Sequence, residues 1–254
     1  MRVVLIESLV LGFLLVAVDA RGGIAFPSVI ERAVGIRTGD GYFVVSGADA
    51  PWCVEAGDVE LFGIAGLRVA GVRATGRVGA LPVGATLTQL ASPVGTETRA
   101  NVELGYVPGA RWRASVRVGA EMIAITGAPG EQSLVTGFLS RADVGRISAI
   151  ADVDVVSRRE TRDVDVTLGV VARAGRGASL VGTAHFDGTG VAAAGIAFVS
   201  RLTGALSLLA GYDDGTDSVR GAAVVSLASW RVSTGVFYHS VLGLSQGVTV
   251  AWVR

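Results

Sequence analysis

Four aspartates flank one short stretch of the sequence, and their negative charges would repel one another if the flanking segments pair as strands. Asp152 and Asp154 precede residues 157–162, and Asp163 and Asp165 follow them. If 157–162 forms a six-residue turn that places Val156 opposite Asp163, then Asp154 faces Asp165 directly. Like charges that face each other across two strands destabilise a sheet, so something must offset this repulsion.

Several groups can provide that offset. Arginines of the turn can fold back over the carboxylates, a cation can bind, one carboxyl group can keep its proton, or water can screen the charges. We favour the arginines, which are Arg158, Arg159 and Arg162.

Motifs for catalysis are not found in the sequence. The two histidines, His185 and His239, fall on separate predicted strands, with no cysteine or carboxylate at metal-ligand spacing beside them. The Gly-x-Ser-x-Gly pattern occurs at 243–247, but it runs into a predicted strand with no helix after it, so it is not interpreted as a nucleophile elbow. There is no phosphate-binding glycine loop. The glycines Gly175 and Gly177 have no helix after them and are interpreted as a turn. We therefore expect no enzymatic activity, no cofactor and no metal.

The elements that position these charges show a period of two. Apolar and polar residues alternate from Val102 through Pro108-Gly109 to Ile123, which predicts two long antiparallel strands. A three-residue turn at 108–110 would place Asn101 opposite Arg117 and Glu103 opposite Ser115. In this register we predict an ion pair between Glu103 and either Arg113 or Arg117, which are its diagonal neighbours. The polar side chains expected to face a lumen are Asn101, Glu103, Arg111, Arg113, Arg117, Glu121, Asp152, Asp154, Asp163 and Asp165.

Composition favours a membrane β-barrel over a soluble β protein. The 254-residue chain is 50% hydrophobic and only 17% charged, with 36 glycines and no net charge. Its mean hydropathy is +0.55, yet no uninterrupted apolar run reaches the length of a membrane helix, apart from a borderline one at the N-terminus. Alternating strands then place one face against lipid and the other in a wet lumen. The charge balance makes nucleic acid an improbable partner, and the single Cys53 excludes an intrachain disulfide.

Thirteen strands separated by turn residues are predicted between Leu67 and Trp252, and Tyr42–Gly47 would supply a fourteenth. Because single-chain bacterial barrels have an even number of strands, we predict an all-β fold with one antiparallel transmembrane barrel of fourteen strands, with twelve as the alternative. Aromatic residues at the strand ends match the girdles of membrane barrels. They are Trp112, Trp230, Tyr238 and Trp252.

The N-terminal part is predicted to differ from the regular barrel meander. Residues 1–20 have the charged start, apolar core and small-residue cleavage site of a secretory signal, with a membrane anchor as the alternative. Residues 21–66 are interpreted as an irregular segment that contributes a plug and the first strand, and residues 67–254 as the barrel meander. A cleaved signal and a barrel together predict the bacterial outer membrane.

Two short motifs resemble a known group of barrels. They are Ala48-Asp49-Ala50-Pro51-Trp52-Cys53-Val54-Glu55-Ala56-Gly57 and Tyr238-His239-Ser240-Val241-Leu242-Gly243. Both resemble segments of outer-membrane barrels related to the long-chain fatty-acid transporters and to PorV-like secretion barrels, although Val54-Glu55 replaces an Asn-Pro pair. The resemblance implies either transport of a hydrophobic molecule or a role as an accessory barrel of a secretion system.

Three functions follow from this sequence. The first is passive transport of a small or hydrophobic molecule, with the lipid bilayer as the surroundings and protein partners unknown. The second is an accessory or structural barrel of a secretion system without transport activity. The third is a soluble repetitive β protein, which the varied strand and turn lengths disfavour.

Overall fold

A computed structural model describes residues 17–18, 24–25, 52–61, 63–109, 111–158, 161–174, 177–187, 190–214 and 218–253. The predicted signal at 1–20 lies almost wholly outside the described residues. Near it, Ala17–Val18 pairs antiparallel with Ile24–Ala25. Among the described residues, no helix is long and apolar enough to cross a membrane.

Fourteen antiparallel strands form one closed barrel, which confirms the predicted fold class. Each strand is hydrogen-bonded to its sequence neighbours, and the last strand pairs with the first through Val253 and Cys53. The strands are β1 Trp52–Glu60, β2 Arg68–Val78, β3 Leu81–Ser92, β4 Gly95–Tyr106, β5 Trp112–Ile125, β6 Glu131–Val144, β7 Ile147–Ser157, β8 Arg162–Ala174, β9 Ala178–Asp187, β10 Gly190–Arg201, β11 Leu206–Asp213, β12 Ser218–Leu227, β13 Trp230–His239 and β14 Gly243–Val253.

The first strand differs from the prediction. Trp52–Glu60 takes the place predicted for Tyr42–Gly47, which lies outside the described residues. Its alternation is hard to recognise because Asp58 and Glu60 share a face with Trp52 and Val54. Asp58 forms an ion pair with Arg68 of the adjacent strand on this outer face. The barrel therefore begins inside the segment that was predicted to be irregular.

The hairpin of β4 and β5 also differs from the prediction, in its register. Glu103 faces Arg117 instead of Ser115, and Asn101 faces Gly119 instead of Arg117. The predicted three-residue turn is too short, because pairing between the two strands stops at Tyr106 and Ala114. A slip of two residues leaves every side chain on its predicted face, since strands have a period of two.

The outer face of the barrel is apolar along this hairpin. Val102, Leu104, Val116 and Val118 are all more than half exposed. The alternate residues of the same strands, such as Asn101 and Arg117, are buried. Exposed apolar side chains in a continuous band match the lipid-facing surface of a membrane barrel.

All four tryptophans of the chain lie on the outer face at one end of the barrel. Trp52, Trp112 and Trp230 begin their strands there, and Trp252 lies directly opposite Trp230. We call this end the tryptophan rim and the other end the opposite rim, where Tyr238 lies. Aromatic residues at strand ends match the interfacial girdle of membrane barrels, as the sequence predicted.

The Tyr-His motif near the C-terminus forms the tight turn between β13 and β14. His239 Nδ1 accepts hydrogen bonds from the backbone N–H groups of Val241 and Leu242, at 3.0 and 3.1 Å. Gly243 then adopts a φ of 93°, a conformation that favours glycine. Both the histidine and the glycine of the motif therefore contribute to this turn.

Substitution of outer-face valines will test the depth of the apolar band. Val118→Arg places a charge at mid-strand and is expected to block insertion into lipid, because a mid-bilayer arginine costs roughly 2–4 kcal/mol. Val144→Arg places the same charge on the same face at the tryptophan rim, where the cost falls to about 0–1 kcal/mol. Folding into vesicles, followed by the heat-dependent gel shift of folded barrels, should separate the two variants. If the two variants inserted equally well, the assignment of Val118 to the lipid-facing side at mid-bilayer depth would be wrong.

Candidate functional site

The inner wall of β1 to β7 carries most of the buried polar side chains. They alternate with outer-face apolar residues along each strand, so the register brings them into adjacent rows. This group, together with the partly buried Asp152 and Asp154, is called the polar wall, and it comprises Glu55, Arg73, Thr75, Thr86, Thr88, Arg99, Asn101, Glu103, Ser115, Arg117, Glu121, Asp152 and Asp154. Polar groups on the inside and apolar groups on the outside are what a water-facing lumen in a membrane requires.

Arg117 is the centre of the polar wall. Its guanidinium group donates to Asp154 Oδ1 at 2.8 Å and to Asp152 Oδ1 at 2.7 Å, while its side chain is only 2% exposed. Arg99 adds a contact to the second oxygen of Asp154 at 3.4 Å. Buried carboxylates are stable when charge-assisted hydrogen bonds replace their hydration, and two arginines provide this here.

Gly137 makes the Arg117–Asp154 contact possible. Arg117 and Asp154 belong to β5 and β7, and Gly137 of β6 is directly opposite both of them in register. The two side chains meet across the glycine, and a Cβ atom there would lie 2.9 Å from Arg117 Nε and collide with Asp154 Oδ1. The ion pair therefore depends on the missing side chain of the strand between its partners.

The four aspartates adopt the predicted register. Asp154 is directly opposite Asp165, and Val156 is opposite Asp163, which confirms the pairing inferred for this hairpin. The arginines that offset the negative charge of these aspartates are only partly the predicted ones. Arg158 of the turn contacts Asp163, as expected, but Asp152 and Asp154 are bound by Arg117 and Arg99 from other strands. Arg159 lies outside the described residues, and Arg162 is exposed.

The other predicted lumen residues occupy different environments. Glu103 is buried and accepts a hydrogen bond from Ser115, and its predicted ion pair with an arginine stays a prediction. Glu121 is buried and pairs with Arg158 at 3.5 Å. Arg113 is partly buried, and Arg111 lies in the exposed turn before β5 rather than in the strand.

A second ionic cluster lies near the tryptophan rim and was missed at the level of sequence. Asp143 accepts from Arg141 at 3.1 Å and contacts Arg173 at 3.5 Å, and it also accepts from Ser148. Ser148 is fully buried and receives further donors from both arginines. The alternation of residues in β6 could have predicted part of this cluster, because it places Leu139, Arg141 and Asp143 on one face.

Between the two rims, the inner wall of β8 to β11 has an apolar stretch, which we call the apolar wall. Val171 faces Val181, which in turn faces Ala197, and Val199 faces Leu209. The first three of these and Val199 form a buried cluster. The lumen is therefore amphipathic, with an ionic polar wall on one side and an apolar wall on the other. Within the described residues, no group of three or more histidine, cysteine or acidic side chains is placed to hold a metal ion.

Comparison with known proteins finds similarity in fold alone. No protein-family model and no curated protein matches the chain. The fold is similar to outer membrane protein Omp33 of Acinetobacter baumannii, with a TM-score of 0.55 and 11% identity over 81% of this chain and 98% of that one. The KdgM porin gives a TM-score of 0.48 at 9% identity, covering 79% of this chain and 98% of the porin. A mutant of the Rh. blastica porin gives 0.45 at 10% identity, covering 80% and 98%.

The similarity to Omp33 supports the barrel fold, and the two lower scores add nothing to that argument. The chain is a closed fourteen-stranded antiparallel β-barrel with an apolar outer face and a polar wall inside, which is the arrangement of a membrane barrel. A soluble repetitive β protein does not fit this closed barrel. The resemblance to fatty-acid transporters and PorV-like barrels is not confirmed by these neighbours.

The role of Gly137 can be tested by adding one methyl group. Gly137→Ala is expected to push Arg117 and Asp154 apart and to lower the free energy of unfolding by about 1–3 kcal/mol, as overpacking does. The matched control is Gly182→Ala, because nothing lies within 4 Å of a Cβ atom at Gly182. Urea unfolding in detergent micelles gives the comparison. If the two variants were equally stable, the ion pair between Arg117 and Asp154 would not depend on the missing side chain at Gly137.

Proposed function

We propose that the chain is a passive channel through which small solutes cross the outer membrane. The observation that carries this proposal is the polar wall inside a barrel whose outer face is apolar. Barrels of eight strands are filled by their own side chains, whereas barrels of sixteen or more leave an aqueous channel, and fourteen lies towards the larger class. Strand spacing and tilt give a backbone diameter of roughly 28 Å for fourteen strands.

The apolar wall suggests which solutes the channel accepts. A solute with both polar and apolar parts can place its polar groups against Arg117 and its neighbours, and its apolar part against Val181 and Val199. This agrees with the resemblance to transporters of hydrophobic molecules. The alternative of an accessory secretion barrel is less favoured, because turns such as 79–80, 93–94, 145–146 and 228–229 have only two residues and offer little docking surface.

The single cysteine provides a direct test of conduction. Cys53 is on the inner face at the tryptophan rim, opposite Thr75 and Val253. In planar bilayers, the anionic thiol reagent MTSES should attach a sulfonate group there and lower the single-channel conductance by a measurable step. Cys53→Ser should conduct equally well and show no step.

One outcome would count against the channel, and another would count against the placement of Cys53 in its path. If the refolded barrel inserts but does not conduct, the passive channel is wrong and the accessory role gains support. If it conducts and MTSES changes the currents of Cys53→Ser in the same way, the reagent is acting elsewhere.

The aspartates of the polar wall should influence ion preference. Asp154→Asn with Asp165→Asn removes two negative charges and leaves the positive charge of Arg99 and Arg117 unbalanced, so the reversal potential in a KCl gradient should shift towards anions. Asp58→Asn is the matched control, because Asp58 is on the outer face beside Arg68. An unchanged reversal potential in the double variant would remove these aspartates from the conduction path.

A further inference from the structure

The two rims of the lumen differ in charge. We define rim positions as the inward-facing residues among the first three or the last three residues of each strand. At the tryptophan rim, inward-facing positions follow from the register and hold five arginines: Arg77, Arg113, Arg173, Arg201 and Arg231.

Serines face three of these arginines across adjacent strands. Arg173 is opposite Ser179, Arg201 is opposite Ser207, and Arg231 is opposite Ser226. A guanidinium group and a hydroxyl group are both hydrogen-bond donors suited to carboxylate and phosphate oxygens. The same donor pair therefore recurs at three places around this mouth.

Carboxylates are fewer than arginines among the described rim positions at the tryptophan rim. Among the described rim positions there, Asp143 is the one carboxylate. It already accepts from Arg141, which lies one inward position deeper and directly opposite Arg113. Like charges that face each other across strands are unfavourable unless a counter-charge is present. The described rim positions of this mouth therefore have an excess of positive charge.

The opposite rim has the reverse sign. Its described rim positions include three carboxylates, Glu97, Glu131 and Asp163, and one arginine, Arg220. Arg158, in the turn beside them, contacts Glu131 and Asp163 and neutralises part of this charge. The lumen thus runs from a positive mouth to a negative one.

We propose that the tryptophan rim is a docking mouth for solutes that carry an oxyanion, either a carboxylate or a phosphate group. A low-dielectric wall focuses the field of the five arginines into the mouth and raises the local concentration of anions there. The guanidinium forks then bind the oxyanion in a bidentate manner, with the facing serines as additional donors. This inference rests on the proposed channel and adds the chemical class of its solute.

The test is sided block of single-channel current in planar bilayers, with the full-length refolded protein. Tripolyphosphate is the phosphate probe and citrate is the carboxylate probe, each added to one side at constant KCl. We expect block from one side at a concentration at least ten-fold lower than from the other. The triple variant Arg173→Gln, Arg201→Gln, Arg231→Gln should raise the effective concentration on that side at least ten-fold.

Control variants keep the result interpretable. Arg68→Gln with Arg162→Gln removes two arginines from outer-face positions at the opposite rim and should leave the block unchanged. If the triple variant does not fold, as judged by the heat-dependent gel shift, single substitutions of Arg201 and Arg231 replace it, each with a smaller expected increase.

The outcomes separate the two proposals. A barrel that conducts but is blocked equally from both sides, or equally in the triple variant, overturns the docking mouth and leaves the channel intact. A barrel that inserts without conducting overturns both. Block by tripolyphosphate alone would assign the mouth to phosphate groups, and block by citrate alone would assign it to carboxylates.

Discussion

Closure of the backbone hydrogen-bond ladder is the constraint on which this structure depends. In lipid, every backbone N–H and C=O group must find a partner within the protein, and a sheet achieves this only when it has no edge. Here the seam is the pairing of β14 with β1, marked by Val253 and Cys53. Without β1 the remaining thirteen strands would leave two unpaired edges in the membrane. The short strand Trp52–Glu60 is therefore as necessary to the fold as the longest hairpin.

Once the barrel is closed, the period of two decides where every charge lies. The outer face is fixed by lipid, so charged residues of the central strands collect on the inner wall, where they must neutralise one another. Arg117 binds two aspartates from a strand two places away, and this is possible because Gly137 leaves the intervening position open. The ionic network is thus a product of register and of one missing side chain, rather than of sequence proximity.

The sequence predicted local features of this barrel well and its long-range contacts poorly. Alternation and turn residues located thirteen strands to within a few residues, and the Asp154–Asp165 register followed from a single turn. The first strand was not predicted at its observed position because Asp58 and Glu60 interrupt its apolar face. The partner of Asp154 was missed for a different reason. Arg117 is 37 residues away in sequence, and only the assembled sheet places the two side chains in one row.

The position of the tryptophans has a spectroscopic consequence. Because Trp52, Trp112, Trp230 and Trp252 all lie on the outer face at one rim, every indole of the chain occupies the same interfacial depth. Intrinsic fluorescence therefore reports the polarity of a single leaflet boundary instead of an average over the whole protein. Quenchers attached at different depths of the lipid chains would read out when this rim reaches its final position as the barrel inserts.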